Sequence, residues 1–152
     1  MRLEFGYGPG VQIVEVPDQN IMDVLYANQM EHSLHGEAAV RYALAHPIGA
    51  PRLRKLAKPG QKIAIIASDI SRPVPSYEIL PAILDELTAA GCREQDITVV
   101  FALGSHRCHT EEEKGRLAGN LVYNRVRCVD SDPDDCIHMG ITKNGTPVDI
   151  TR

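Results

Sequence analysis

The middle of the chain contains two apolar runs that are separated by an amphipathic stretch. The runs cover residues 63–67 and 97–103, and each is almost continuously apolar. Between them, apolar side chains recur at helical spacing, at Ile79, Leu80, Ile83, Leu84 and Leu87. Strand, helix and strand within about 40 residues predict a βαβ unit with parallel strands. The unbroken apolar character of the first run further predicts a strand that is covered on both faces of its sheet.

The flanking segments predict further helices and two hairpins. Residues 37–46 are rich in alanine and contain neither glycine nor proline, which favours a helix, and a shorter helix is predicted for residues 51–57. Thr110 and Glu113 have the spacing of a capping box, which predicts a helix directly after Thr110. Hairpin strands are predicted in two pairs, at residues 3–5 with 11–16 and at residues 137–141 with 146–150. We therefore expect an α/β fold, a Rossmann-like open sheet, mostly parallel, with flanking helices and added β-hairpins.

Local signals refine these elements. Ser76 is predicted to cap the start of the helix between the two apolar runs, and Gly91 is predicted to end it. Pro81 either kinks this helix or marks a later start. A basic run near residue 55 is interpreted as a solvated helix face, and its members are Arg52, Arg54, Lys55 and Lys58.

Composition narrows the classes of protein and of partner. A chain of 152 residues with 43% hydrophobic and 24% charged residues suits one compact domain. The net charge of −4 argues against a generic nucleic-acid or anionic-membrane surface. No apolar run approaches the roughly 20 residues of a membrane span, and the N-terminus does not have the pattern of a signal peptide, so we expect a cytoplasmic protein. The four cysteines form no C-x-x-C pair and are expected to be free thiols.

Polar residues follow both predicted strands at the point where each apolar run stops. Asp69 and Arg72 follow the first run, and His106 follows the second. Ligands of open α/β sheets bind beyond the carboxyl ends of parallel strands, arginine suits a carboxylate or phosphate, and histidine exchanges a proton near neutral pH. The three residues therefore form a candidate site. The alternative is a salt bridge between Asp69 and Arg72 within the loop, with His106 bonded to the loop.

A second group of chemistry-bearing residues lies near His106. Cys108 and His109 follow it closely, and Cys136 and His138 are further candidate metal ligands. Their spacing matches no standard zinc pattern, so a structural metal is not expected from these residues. The sequence also contains no P-loop, no G-x-G-x-x-G and no G-x-S-x-G motif.

Two motifs resemble those of one enzyme family, the nickel-pincer-dependent lactate racemases. Residues 68–75, SDISRPVP, resemble the family's S-D-x-T-R-P-V-P signature. Residues 104–107, GSHR, together with Thr110 and Glu112 resemble its G-x-H-R-x-x-T-x-E segment. Shorter similarities at residues 46–49 and 139–148 extend the likeness, in order, over essentially the whole chain.

The resemblance implies a racemase or epimerase of lactate or a related 2-hydroxy acid. Members of this family transfer a hydride transiently to a nickel-pincer nucleotide, a nickel pyridinium bisthiocarboxylate mononucleotide, while two histidines exchange the hydroxyl proton. His106 matches one of these histidines. Arg72 matches the arginine that holds the substrate carboxylate, and Asp69 matches an aspartate of the same pocket. Asp69 and Ser71 are also implied to contact the cofactor.

The resemblance further implies that parts of the active site lie outside this chain. In the family, the second catalytic histidine, the lysine that tethers the cofactor and the nickel-binding histidine come after the point where this chain stops. We therefore expect residues 1–152 to be a single N-terminal domain, the front part of a longer two-domain enzyme, and to be inactive alone. Its expected partners are a small 2-hydroxy acid and the missing C-terminal domain, and a homo-oligomer stays open. Ser71 replaces the family's usual threonine, and Cys128 replaces a frequent histidine.

Two alternatives to this function stay open. One is a different hydroxy-acid or redox reaction on the same scaffold. The other is a non-catalytic anion-binding or assembly domain in which Arg72 holds a phosphate or a carboxylate. Replacing His106 by alanine separates catalysis from binding, because a binding module would keep its ligand affinity.

Overall fold

The structure, a computed structural model, describes residues 1–31, 33–72 and 74–152. These residues belong to two units, Met1–Ser33 and Leu34–Arg152. The first unit contains an antiparallel hairpin of β1 (Arg2–Tyr7) and β2 (Gly10–Glu15), which is followed by a 3₁₀ turn at residues 18–20. The hairpin predicted from the early glycines is thus present, and Gly8 at its tip has a φ of +56°, which glycine adopts without strain.

A parallel sheet forms the centre of the second unit. Its strands are β3 (Ile63–Ser68), β4 (Ile97–Ala102) and β5 (Arg127–Asp130), in the order β3-β4-β5. Ser68 at the end of β3 pairs with Ala102 at the end of β4, and Phe101 pairs with Asp130. The carboxyl ends of the three strands therefore meet at one edge of the sheet.

Five α-helices and a second hairpin complete this unit in the described residues. The helices are α1 (Gly36–Ala45), α2 (Leu53–Leu56), α3 (Ser76–Ala89), α4 (Glu111–Ala118) and α5 (Asn120–Tyr123). The hairpin pairs β6 (Cys136–Ile141) with β7 (Pro147–Thr151). Because α3 connects β3 to β4 while α4 and α5 connect β4 to β5, the predicted α/β class with flanking helices and hairpins is confirmed.

None of the helices in the described residues combines the length and the apolar character that crossing a bilayer requires.

The core of the second unit lies between one face of the sheet and the helices. Its largest fully buried side chains are Leu84, Ile97, Val99, Phe101 and Val122. On the other face, Ile66 of β3 is 67% exposed. The prediction that β3 is covered on both faces is therefore wrong for the described residues, because an aliphatic run does not reveal how many layers contact it.

The two ends of α3 differ in how well they could be predicted. Pro75 occupies the N-cap position, and the helix begins at Ser76. No side chain caps the start of the helix, so the predicted cap by Ser76 is wrong. Pro81 lies inside the helix and does not end it. At the other end, Gly91 has a φ of +85° and its N–H donates to the carbonyl of Thr88 at 2.9 Å, which confirms the predicted glycine stop.

Part of the basic run is tied to α3. Arg52 donates two hydrogen bonds to the carboxylate of Glu86, at 2.9 and 2.6 Å, and Arg54 binds the same carboxylate. Glu86 is buried, and the hydrogen bonds from Arg54 and then Arg52 lower its pKa to about 2. The side chains of Arg52 and Arg54 stay 33% and 42% exposed, so the run is partly solvated as predicted, but these two residues also connect α2 to α3.

Candidate active site at the carboxyl edge of the sheet

A cleft of about 370 Å³ opens where β3 and β4 end. Asp69 and Arg72 line it from the loop after β3, and Gly104, Ser105 and His106 line it from the loop after β4. Gly104 has a φ of +59°, and no atom lies within 4 Å of the place where its Cβ would be. The loop thus turns sharply at Gly104 and leaves room for a ligand close to the backbone.

Asp69 and His106 form a hydrogen-bonded pair in the wall of this cleft. Oδ2 of Asp69 bonds to Nδ1 of His106, and Oδ1 accepts a hydrogen bond from Oγ of Ser71 at 2.8 Å. An ionised carboxylate only accepts hydrogen bonds, so the ring donates from Nδ1. The side chain of Asp69 is 5% exposed, whereas that of His106 is 50% exposed. Nε2 of His106 is therefore the ring nitrogen that is left to meet a ligand.

The surroundings of Asp69 favour its charged form. The hydrogen bond from His106 is the largest cause of a lowered Asp69 pKa, the bond from Ser71 is the second, and burial acts in the opposite direction. A carboxylate that stays ionised stabilises a positive charge on the adjacent imidazole ring. The pair therefore combines a group able to exchange protons with a group that orients it.

Arg72 brings a cation to the same cleft. Its backbone N–H donates to the carbonyl of Asp69 at 3.2 Å, and its side chain is exposed. Within the three described stretches of chain, the guanidinium group has no hydrogen bond or ion pair, so the alternative of an Asp69–Arg72 salt bridge is not realised. Its planar fork can make two parallel bonds to a carboxylate. Pro73, which belongs to the same motif, lies outside the described residues.

His109 is a residue of this edge whose place the sequence analysis missed. Its side chain is only 1% exposed, and its ring bonds Ile70 in the loop after β3 and Asp130 at the end of β5. The available signal was its position directly before Thr110, the N-cap of α4. The residue before an N-cap is often an apolar one that packs inward, so a histidine there is a candidate for burial with polar partners.

The described part of the chain contains no group of three or more histidine, cysteine or acidic side chains that could hold a metal ion. The candidate ligands of the sequence analysis are dispersed instead. Cys108 is exposed, and His138 bonds to Asp149 at 2.8 Å within the β6–β7 hairpin. All four cysteines are free thiols.

Comparison with known proteins identifies the family to which this fold and this cleft belong. The sequence profile described as the lactate racemase N-terminal domain matches residues 7–152. The chain belongs to the lactate racemase N-terminal domain family. The family resemblance that was inferred from the two motifs is thereby confirmed.

Curated relatives of this lactate racemase N-terminal domain include two lactate racemases. The enzyme of Thermoanaerobacterium thermosaccharolyticum is 35% identical over 126 residues, which are 81% of this chain and 29% of that protein. The enzyme of Lactiplantibacillus plantarum is 29% identical over 150 residues, which are 95% of this chain and 35% of that protein. The chain thus spans about a third of the length of these relatives.

The fold matches a solved structure as well. The structure of the lactate racemase apoprotein from Thermoanaerobacterium thermosaccharolyticum aligns with a TM-score of 0.74 at 31% sequence identity. The alignment covers 99% of this chain and 36% of that chain. The α/β architecture is therefore shared with a lactate racemase over the whole lactate racemase N-terminal domain.

The two departures from the family pattern have different surroundings. Ser71 keeps the hydroxyl group of the usual threonine, and this hydroxyl donates a hydrogen bond to Asp69. Cys128 lies on β5, and burial raises the pKa of its thiol to about 11. Cys128 in this lactate racemase N-terminal domain is therefore a protonated thiol near neutral pH.

Proposed function

We propose that this chain is the N-terminal domain of a nickel-pincer-dependent racemase or epimerase that acts on lactate or a related 2-hydroxy acid. The observation that carries the proposal is the presence of Arg72 and of the Asp69–His106 pair in one cleft of a lactate racemase N-terminal domain. A 2-hydroxy acid bears a carboxylate and a hydroxyl group on adjacent carbons. A guanidinium group and an imidazole ring are suitable partners for these two groups.

Arg72 is the residue that binds the substrate carboxylate in this proposal. Its side chain is exposed in the cleft, and the guanidinium fork gives two parallel, charge-assisted hydrogen bonds to a carboxylate. Binding at two points fixes both the position and the plane of the carboxylate. The hydroxyl-bearing carbon is then held at a defined distance from the loop that carries His106.

His106 is the residue that exchanges the hydroxyl proton. Its Nδ1 is bonded to Asp69, so Nε2 carries the lone pair that removes a proton from the substrate hydroxyl and later returns it. Asp69 stays ionised and stabilises the ring while it is positively charged. Both oxygens of Asp69 already accept hydrogen bonds, so we assign it to the orientation of His106 and Ser71 rather than to the reacting atoms.

The nickel-pincer nucleotide, when bound, supplies the acceptor for the hydride of the hydroxyl-bearing carbon. The residues of this chain fit a supporting role toward that group. The open space at Gly104 admits a planar group near the backbone, and the hydroxyl of Ser71 keeps lone pairs for a polar atom of the cofactor. From the family resemblance, we assign the nickel ligand and the tethering lysine to another part of a longer protein.

The same reasoning makes residues 1–152 the front part of a longer, two-domain enzyme. The chain matches 29% and 35% of the two curated relatives, and both relatives are named lactate racemase. We therefore propose that the chain is inactive alone and that a C-terminal domain completes the active site. Addition of that domain is expected to produce turnover that this chain lacks.

The test uses the full-length protein that contains this chain, loaded with the cofactor and supplied with one enantiomer of lactate in D₂O. We expect the other enantiomer to accumulate while the hydrogen on C2 is retained, because this hydrogen leaves and returns as a hydride. Replacement of the C2 hydrogen by deuterium would indicate proton abstraction from carbon and would contradict the proposed chemistry. Chiral chromatography and proton NMR measure the two quantities separately.

The alternative to an enzyme is an anion-binding module, which the exposed guanidinium group of Arg72 would also suit. Calorimetry with lactate and with inorganic phosphate measures binding independently of turnover. Binding without racemisation of lactate or of other 2-hydroxy acids by the loaded full-length protein would favour this module over an enzyme. Racemisation that depends on His106 would exclude it.

A further inference from the structure

We propose that His109 is a positioning residue that ties the ends of β3, β4 and β5 together and thereby holds the Asp69–His106 pair in place. His109 follows β4, and its ring reaches the loop after β3 and the last residue of β5. The contacts themselves do not depend on any reaction. Their consequence for turnover rests on the proposed function.

The first tie joins His109 to Asp130 at the end of β5. Nδ1 of the ring donates to Oδ1 of Asp130 at 2.6 Å, and the backbone N–H of His109 donates to Oδ2 at 2.8 Å. One carboxylate therefore fixes both the ring and the backbone of the same residue. Asp130 is almost completely covered as well, so water does not compete readily for these bonds.

The second tie joins His109 to the loop after β3. The backbone N–H of Ile70 donates to Nε2 of His109 at 3.1 Å. Because Nε2 accepts this bond, it carries no proton, and the single ring proton lies on Nδ1, where Asp130 accepts it. The two ties thus require the same tautomer, and each supports the other.

This arrangement acts directly on the candidate site. Ile70 lies between Asp69 and Ser71, and both of these side chains approach Nδ1 of His106, Ser71 at 3.4 Å. The hydrogen bond to the N–H of Ile70 therefore fixes the positions of the Asp69 carboxylate and the Ser71 hydroxyl relative to the ends of the strands. A displacement of about 1 Å at such a position can reduce turnover by about 10²-fold.

Packing explains why a histidine can serve as this tie. The ring of His109 stands edge-on to Phe101, with ring centroids 5.6 Å apart and an angle of 76° between the planes. Phe101 is fully buried in the core. The ring therefore combines an apolar contact to the sheet with two hydrogen bonds to the loops, a combination that an aliphatic side chain at this position would not provide.

The first test is the tautomer of His109 in the unaltered protein. Long-range ¹H–¹⁵N correlation spectra of the full chain, assigned with the His109→Gln variant, show which ring nitrogen carries the proton. We expect Nδ1 to be protonated and Nε2 to be the acceptor. A ring protonated on Nε2 alone would overturn the proposal, and this test does not require that any other variant folds.

The second test compares two replacements that each keep one of the ties. In His109→Gln, the amide oxygen can accept from Ile70, whereas in His109→Asn the shorter amide can donate to Asp130 but does not reach Ile70. Hydrogen exchange followed by mass spectrometry should show that the backbone amides of residues 69–72 exchange roughly tenfold faster in the asparagine variant than in the glutamine variant. His138→Gln is the matched control, because His138 also bonds a carboxylate but lies in the β6–β7 hairpin. Equal exchange in the two His109 variants would overturn the proposal.

Turnover of the loaded full-length protein gives the third readout. We expect His109→Asn to lower kcat by about 10-fold or more with a small change in KM, and His109→Gln to recover part of the loss, even when both variants unfold at a similar temperature. Equal kcat for the folded fractions of both variants would indicate a merely structural residue. If the unaltered protein does not racemise 2-hydroxy acids while the exchange results hold, the proposed function fails and the tie stands.

Discussion

Two buried carboxylates lie at opposite edges of the same parallel sheet. Asp96 precedes β4, and its side chain, 1% exposed, accepts hydrogen bonds from Lys62 at 2.5 Å and from Arg93 at 2.7 Å. Asp69 follows β3 and accepts from a serine hydroxyl and from His106. Clefts of similar volume adjoin them, about 390 Å³ at Asp96 and about 370 Å³ at Asp69. Neither burial nor the size of the cleft therefore distinguishes the two ends.

The difference lies in what the partners of each carboxylate can do. The pKa of Asp96 is lowered mainly by its hydrogen bonds from Lys62 and Arg93, and the pKa of Asp69 is lowered mainly by its bond from His106. Lysine and arginine carry fixed charges near neutral pH, whereas a histidine can change its protonation there. Asp96 is thus suited to hold the structure together, and Asp69 is suited to support proton transfer. The partner of a buried carboxylate is more informative about function than the burial itself.

The largest effect expected from this comparison is that of His106→Ala. In the loaded full-length protein, kcat for lactate racemisation should fall by about 10³-fold, because the group that exchanges the hydroxyl proton is lost. Lactate affinity, measured by calorimetry, should change little. His138→Ala is the control and should retain turnover, since His138 bonds Asp149 away from the cleft. If the His106→Ala variant kept its turnover, the carboxyl edge of the sheet would no longer differ in function from the amino edge.

A smaller effect is expected for Arg72→Ala. Loss of two charge-assisted hydrogen bonds to the substrate carboxylate should raise KM for lactate by about 10- to 100-fold. Arg72→Lys should recover only part of the affinity, because an ammonium group lacks the planar fork. Steady-state kinetics measure both values, with Arg127→Ala at the amino end of β5 as the control. A KM that stays at the level of the unaltered enzyme would contradict the assignment of Arg72.

The structural carboxylates should affect stability rather than turnover. Glu86→Gln leaves Arg52 and Arg54 facing a neutral amide, and it should lower the free energy of unfolding by about 2 kcal/mol at neutral pH without a change in kcat. Urea unfolding measures the loss. The exposed Glu112→Gln is the control and should stay within about 0.5 kcal/mol. A loss of kcat without a loss of stability would place Glu86 in the site after all.

The smallest effect concerns the dependence of stability on pH. The pKa values of Glu86 and Glu113 are lowered from 4.5 to about 2, the first chiefly by Arg54 and the second chiefly by Arg107. A lowered pKa in the folded state means that the stabilisation is complete above an ordinary pKa of about 4.5 and is lost as the pH falls toward 2. The urea midpoint should therefore decrease in this range, and less steeply in Glu86→Gln. A midpoint that rises on acidification would contradict these ion pairs.

Elements whose determining residues lie close together in the sequence were predictable from it. The apolar runs became β3 and β4 with ends shifted by one residue. The capping box is formed as expected, since the N–H of Glu113 donates to Oγ1 of Thr110 at 3.2 Å and the N–H of Thr110 donates back to the Glu113 carboxylate at 2.8 Å. Such contacts join residues three positions apart, so the spacing of residue types is sufficient to find them.

Contacts between distant residues were predictable only where a fold rule brought them together. The approach of Asp69 to His106, 37 positions apart, follows from the rule that parallel strands end at the same edge. No such rule links Arg52 to Glu86 across 34 positions. The rule does bring His109 and Asp130 to one edge of the sheet, but it does not show that their side chains bond across 21 positions. Both contacts depend on how side chains pack, which residue spacing does not express.

The most direct test of the account compares Asp69→Asn with Asp96→Asn in the loaded full-length protein, by chiral assay of lactate racemisation. Asn at position 69 removes the charge that orients and stabilises the His106 ring, so kcat should fall by about 10²-fold. The unfolding temperature should fall as well, because the pKa of Asp69 is lowered in the folded state. Asn at position 96 should lower the unfolding temperature and leave kcat intact. Equal losses of turnover in both variants, or full turnover in Asp69→Asn, would contradict the claim that the carboxyl edge is the reaction site and the amino edge a structural one.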